Sequence, residues 1–308
     1  MNPIRSLERR RWLQRAGAAT LAPLVPRIAG AATDFITRAI PATGERLPVI
    51  GMGTWITFDA GPIPAARANL LPVLQAFFDG GGSVIDSSPM YGSSESVLGE
   101  LLPQVTPRPR PFAASKVWTP GRALGINQME RSRQLWDVPR LDLLQIHNML
   151  DWRTHLPTLR EMKTAGRVRY IGITTSHGAR HDEIASAIAR EPFDFVQFTY
   201  SLADRSVERR LLPLAAERGI AVIVNRPFDG GALFRAVRGR PLPALAREIG
   251  CTAWSQYFLK FIVSHPAVTC AIPATSQRAH MVENMGALAG PLPDAATRRR
   301  MADAFDSA

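Results

Sequence analysis

Short apolar runs alternate with helical stretches along most of the chain. Strand-like runs fall at residues 49–53, 83–86, 112–115, 141–146, 168–173, 195–198, 221–224 and 268–272, eight in all. Most are continuously apolar rather than alternating, the pattern of parallel strands covered on both faces. Between them, segments 65–79, 95–101, 158–165, 183–189, 207–218 and 252–264 carry the 3.6-residue spacing of amphipathic helices. Gly166 and Gly219 stand just beyond two of these, where a left-handed cap is common. Strands alternating with helices imply βαβ units, and eight such units imply an α/β fold closed as a (β/α)8 TIM barrel, which takes ~250 residues. Residues 35–40, the turn Pro41-Ala42-Thr43-Gly44-Glu45 and residues 46–50 predict an N-terminal β-hairpin that plugs the barrel floor.

The rival architecture is an open doubly wound sheet, whose first strand leads into a Gly-x-Gly-x-x-Gly turn. Here Gly51-Met52-Gly53-Thr54-Trp55-Ile56 lacks the third glycine, and no helical pattern begins there. Gly80-Gly81-Gly82 precedes a strand-like run, which suits a tight turn rather than a phosphate cradle. The barrel is therefore the reading adopted, as a single domain over residues 32–308.

Composition adds limits. The 308 residues are 46% hydrophobic and 20% charged, as in a globular protein with a real core. The formal net charge is +11, but six arginines and one acid within residues 1–31 carry +5 of it. What remains is spread out, without the clustered basic face of a nucleic-acid reader. Cys251 and Cys270 show neither a disulfide framework nor metal-ligand spacing and read as reduced packing residues. His155, His177, His181 and His265 fall in loops or at helix starts and read as surface residues, and no metal-binding arrangement is found.

The first 31 residues read as an address. Arg9-Arg10-Arg11-Trp12-Leu13-Gln14 is followed by an apolar stretch from Ala16 to Val25 and by the small-x-small sequence Ala29-Gly30-Ala31. Those are the three parts of a secretory signal. Adjacent arginines before an aromatic residue and a leucine resemble the twin-arginine type, which implies the twin-arginine export machinery as partner. Expected consequences are a periplasmic location, cytoplasmic if the signal does not function, and no membrane anchoring once the signal is removed.

Catalytic groups of a barrel gather at the C-terminal ends of its strands. Asp86 ends the second run and Tyr91 follows in Ile85-Asp-Ser-Ser-Pro-Met-Tyr-Gly92; Lys116 ends the third and His147 the fourth. Each is ordinary by itself, but the four should converge on one mouth. Here the sequence resembles the aldo-keto reductases, from about Val49 to Asn284. In that family Asp, Tyr, Lys and His form a catalytic tetrad, and Asp86, Tyr91, Lys116 and His147 match its positions. The resemblance implies reduction of an aldehyde or ketone to an alcohol by NAD(P)H, with Tyr91 as general acid. A free phenol has a pKa near ~10, and a neighbouring ammonium lowers it. Lys116 is expected to do this, with Asp86 holding Lys116 charged and His147 fixing the carbonyl oxygen.

The resemblance also implies a cofactor set. Gly53, Thr54 and Trp55 follow the first strand. Gln197 and Thr174 match carboxamide ligands, while Thr175 stands where the family often has asparagine. Asn225 occupies a position where many members stack an aromatic residue on the nicotinamide. Arg226, Pro227 and Phe228, with Gly230 and Gly231, form the pyrophosphate loop. Thr275, Glu283 and Asn284 match the adenosine segment, but Ala274 and His280 replace the usual basic grips on a 2′-phosphate, leaving Arg278 as a substitute. NADP is the cofactor expected, with NAD as the alternative. Trp55, Met90, Trp118 and Phe228 are the expected pocket for a small carbonyl substrate, and nucleic acid is not expected as a partner. Two other classes compete. One is a nucleotide-binding redox sensor or accessory subunit without significant turnover. The other is a Schiff-base aldolase using Lys116, against which the adjacent Asp86 argues.

Overall fold

The computed structural model describes residues 35–307; the export signal expected at residues 1–31 lies outside them. A two-stranded antiparallel hairpin, β1 (Thr37–Ala39) and β2 (Arg46–Pro48), comes first. Eight parallel strands follow in sequence order: β3 (Met52–Gly53), β4 (Val84–Asp86), β5 (Phe112–Val117), β6 (Leu141–Ile146), β7 (Val168–Thr174), β8 (Phe195–Thr199), β9 (Ala221–Asn225) and β10 (Val268–Ala271). Backbone bonds from Gly51 N to the Ala271 carbonyl (2.8 Å) and from Gly53 N to the Pro273 carbonyl (3.0 Å) close the last strand onto the first. That seam explains the glycines. A Cβ at Gly51 would stand 2.7 Å from the Val84 carbonyl oxygen, and one at Gly53 would stand 2.9 Å from that of Ile272. Gly51 and Gly53 therefore let backbones approach closely at the junction.

Side chains alternate along each strand between the barrel interior and the surrounding helices. Phe112, Ala114, Leu143, Tyr170, Phe195, Ala221, Ile223 and Cys270 fill the lower interior, and Ile40 and Leu47 of the hairpin close it from below. One repeat of the pleat higher stand Lys116, Gln145, Gly172 and Gln197, and one higher again His147, Thr174 and Thr199. The same two-residue step that makes the floor apolar thus carries polar groups to the mouth. A second core, outside the strands, packs residues such as Leu144, Ile146, Ile173, Val196 and Val222 against the helices. Cys251 and Cys270 are both buried and free.

Several boundaries differ from expectation. The first barrel strand has two residues, with Ile50 joining through an isolated bridge to Ala271. The helix expected at 65–79 is two, Pro64–Ala68 and Leu71–Asp79. Pro72 forces the break, since it lacks an N–H to donate to the preceding turn. Segment 207–218 divides likewise into a 3-10 turn, Ser206–Arg209, and the helix Leu211–Glu217, which carries Pro213 in its first turn. The helix expected from 158 begins at Trp152. Its polar first turns hide His155, which is fully buried rather than on the surface, with Nε2 bonded to the Thr119 carbonyl at 2.7 Å. The helices Arg122–Leu135 and Ala295–Asp306 were not anticipated. No helix among the described residues is long and apolar enough to cross a membrane.

Candidate active site

A cleft of about 460 Å³ opens at the C-terminal ends of the strands. Lining it are Gly53, Thr54, Trp55, Asp86, Met90, Tyr91 and His147, then Thr174, Gln197, Asn225, Arg226, Pro227 and Phe228. Lys116 sits behind them, fully buried, its ammonium bonded to Asp86 Oδ2 and, at 2.9 Å, to the Ser87 carbonyl. Its Nζ stands 5.0 Å from the centre of the Tyr91 ring. The Tyr91 and His147 rings meet edge to face, 5.6 Å apart. The four side chains named from the sequence are thus brought together at one rim.

Their electrostatics are set by burial. Asp86 Oδ1 accepts from Gln145 Nε2 (2.9 Å) and Gln197 Nε2 (3.0 Å), so the carboxylate is saturated by these amides and the Lys116 ammonium. Burial pushes the Lys116 ammonium down, but Asp86 and Tyr91 outweigh it, and the net direction is up. For Tyr91, burial outweighs Lys116, which acts in the expected downward direction. Burial pushes the hydroxyl up, Lys116 opposes it, and Asp86 adds to the rise, so the phenol holds its proton above the ordinary tyrosine range. His147 moves the other way: burial, helped by the Lys116 charge, depresses it to about 2. Its imidazole is neutral at any physiological pH.

Sequence reasoning missed several groups. Gln145 projects inward from β6 two residues before His147 and donates to Asp86. A Cβ at Gly172 would stand 3.0 Å from Gln145 Cγ, so that glycine leaves room for the amide. Ser88 Oγ lies 2.9 Å from His147 Nδ1. Thr54 Oγ1 donates to the Asp86 carbonyl (3.1 Å) and meets Ser87 Oγ at 2.9 Å. Across the mouth, the Trp55 and His177 rings pack edge to face at 6.4 Å, and the Arg226 guanidinium lies 5.9 Å from the Trp55 ring centre. A polar residue ending an apolar run is a readable signal; an amide within one, such as Gln145, is not.

The remaining residues named from the sequence are less uniformly placed. Gln197 lines the cleft, but its amide nitrogen is turned to Asp86 and Gln145, while its oxygen accepts from Asn225 Nδ2 at 3.3 Å. Asn225 also donates to the Thr175 carbonyl (2.8 Å), and Thr175 itself is buried outside the cleft lining. Trp118 is 41% exposed and lies 6.5 Å from the His147 ring. Thr275, Arg278, His280, Glu283 and Asn284 do not line the cleft. Arg278 and His280 are exposed at the start of the helix Arg278–Met285, and Asn284 is buried.

Backbone strain gathers at the same end. Among the described residues, eight of the nine non-glycine residues with positive φ lie in loops after strands: Ile56, Asn148, Met149, Asp151, His177, Arg180, Arg226 and Asp229. For β-branched Ile56 this is a true outlier. Such strain persists where surrounding structure enforces it, commonly at binding sites.

A profile of the Aldo/keto reductase family matches residues 49–300, most of the chain. The NADH-specific methylglyoxal reductase of Escherichia coli is 26% identical over 240 residues, covering 67% of this chain and 71% of that protein. The aldo-keto reductase YhdN of Bacillus subtilis is 25% identical over 210 residues; the match covers 63% of this chain and spans only 62% of the relative's length. An aldo/keto reductase from Klebsiella pneumoniae, solved with NADP and acetate, superimposes with a TM-score of 0.72 at 24% identity, over 85% of this chain and 93% of that one. An eight-stranded parallel barrel with a largely apolar cleft at its mouth, into which Asp86, Tyr91 and His147 converge, defines the class of protein. The chain belongs to the aldo/keto reductase family.

Proposed function

We propose that the chain reduces an aldehyde or ketone to an alcohol with NADPH, Tyr91 giving the proton to the carbonyl oxygen. The observation that carries this reading is the sealed Lys116–Asp86 pair facing the ring of a phenol that lines an open cleft. Tyr91 is protonated at neutral pH, as any phenol with a pKa near ~10 or above is, and burial shifts it further up, so it carries a proton to give. As the proton leaves, the Lys116 ammonium stabilises the phenolate, and Asp86 keeps that ammonium charged and aimed. General acids so placed typically contribute about 10²–10⁴-fold. His147, neutral, offers a hydrogen bond to the carbonyl oxygen without adding a competing charge.

The nicotinamide, when bound, supplies the hydride. The residues present fit such a group, since Arg226 Nε and Thr57 Oγ1 are buried at the cleft without a partner. Buried polar groups normally have partners, so both are donors in want of a ligand. Gln197, Thr174 and Asn225 would hold the carboxamide end; Arg226, Pro227 and Phe228 would follow the phosphates, because a guanidinium fork matches phosphate oxygens. The adenosine end would lie along Thr275, Arg278, His280, Glu283 and Asn284. The Klebsiella structure holds NADP, and the Escherichia coli relative is named for NADH; NADP is our choice. Trp55, Met90 and Phe234, each about 40% exposed at the rim, favour a carbonyl substrate with an apolar body. Fluorescence titration with NADPH and NADH, followed by an aldehyde panel, tests the reading. Tight NADPH binding and turnover support it; binding without turnover of any carbonyl overturns it.

Residues 1–31 are in our reading a twin-arginine export signal, which places the mature enzyme in the periplasm. Replacing Arg10 and Arg11 with lysine should leave precursor in the cytoplasm on cell fractionation. Unchanged export would refute the assignment.

A further inference from the structure

We propose that Ser88 is a positioning residue that fixes the tautomer of His147, so that Nε2 carries the proton offered to the carbonyl oxygen. This rests on the reductase reading above. Ser88 is fully buried, two residues beyond Asp86. Its Oγ accepts the Met90 N–H at 3.2 Å and lies 2.9 Å from His147 Nδ1. A hydroxyl has one proton and two acceptor sites. With Met90 occupying an acceptor site, the proton needs an acceptor of its own, because a buried unpaired hydroxyl is costly. Among the described residues, Nδ1 is the acceptor within hydrogen-bond distance.

Directing the Ser88 proton at Nδ1 leaves that nitrogen bare and puts the imidazole proton on Nε2. The reverse arrangement, with Nδ1–H donating to Oγ, fails twice. It strands the Ser88 proton, and it turns a bare Nε2 lone pair towards a carbonyl oxygen that is itself an acceptor. His147 makes no hydrogen bond through Nε2 within the described residues and lines the cleft, so that nitrogen is free for a substrate. His147 is neutral, as derived above, so the tautomer decides whether it donates or accepts. Asp86 at the end of β4 and the two serines that follow it thus organise both partners of Tyr91. Asp86 Oδ2 and the Ser87 carbonyl hold Lys116, and Ser88 Oγ sets His147.

The test uses full-length protein labelled with 15N-histidine, as parent, Ser88→Ala and Ser88→Thr. In the parent, nitrogen shifts and two-bond couplings of His147 should show a protonated Nε2 and a bare Nδ1. Ser88→Ala should show a mixture of tautomers and a kcat for aldehyde reduction lower by about 10–100-fold, the size of loss seen when the orienting partner of a metal-ligating histidine is removed. Its nucleotide affinity should be unchanged. Ser88→Thr, which keeps the hydroxyl, should restore the parent tautomer and much of kcat. A parent protonated at Nδ1, or a Ser88→Ala variant with parent tautomer and parent kcat, overturns the proposal. The spectrum needs no turnover. A parent that reduces no carbonyl therefore sinks the reductase reading, while the tautomer remains separately readable.

Discussion

Replacing Asp86 with asparagine should destabilise the barrel through Lys116. The ammonium is fully buried, and its contacts are Asp86 Oδ2 and the Ser87 carbonyl. Asparagine keeps an oxygen for Gln145 and Gln197 but turns an amide nitrogen, a donor, towards another donor. Removing one member of a buried ion pair costs about 3–5 kcal/mol, a large part of the roughly 5–15 kcal/mol that holds a domain folded. Without Asp86, the desolvation that already pushes Lys116 down is unopposed by its main counter-charge, so its pKa falls below the unfolded value. The unfolded chain then binds a proton the folded one lacks, and stability must rise with pH. The deficit in urea midpoint should thus be largest near neutral pH and shrink as pH approaches the ordinary lysine value of about 10.4. The double variant Asp86→Asn/Lys116→Met should recover most of the stability but no activity, because an apolar side chain fills the site without a charge to solvate. A loss under about 1 kcal/mol, or a double variant no more stable than the single, would refute the reasoning.

Two further outcomes follow from the geometry. With His147 depressed to about 2, kcat/KM for reduction should show no break near the ordinary histidine value of about 6.5. Alcohol oxidation should instead accelerate as pH rises, because Tyr91 must lose its proton to begin that direction; a reduction profile breaking near 6.5 would contradict this. Gly99→Ala, in the helix Ser94–Leu101 that packs on Arg122–Leu135, sets two effects against each other. Helix propensity favours alanine by about 1 kcal/mol, but the new Cβ would stand 1.9 Å from the Leu135 carbonyl oxygen, and overpacking typically costs about 1–3 kcal/mol. A lower melting temperature is expected, and a higher one would show that the two helices can separate without loss.

The fold was legible because its signal is repetitive. Eight apolar runs give the strands, and the polar residues at the ends of three of them give the level at which Asp86, Lys116 and His147 emerge. What escaped was carried by residues without a pattern. The helix Arg122–Leu135 buries only Gly125, Met129 and Ser132, too small and polar a face to register as hydrophobic periodicity. Gln145 interrupts an apolar run, and Ser87 and Ser88 are small hydroxyls whose use depends on what faces them. The sign of the Tyr91 shift was lost for another reason. The sequence names the ammonium that lowers the pKa, but the opposing burial is a sum over three dimensions.

The central claim is that the Tyr91 hydroxyl is the proton donor. Its most direct test is single-turnover oxidation of bound NADPH by an aldehyde, measured in parent and Tyr91→Phe at matched nucleotide occupancy. The account predicts nucleotide binding within about twofold and a hydride-transfer rate lower by about 10²-fold or more. Equal rates in the two proteins would contradict it.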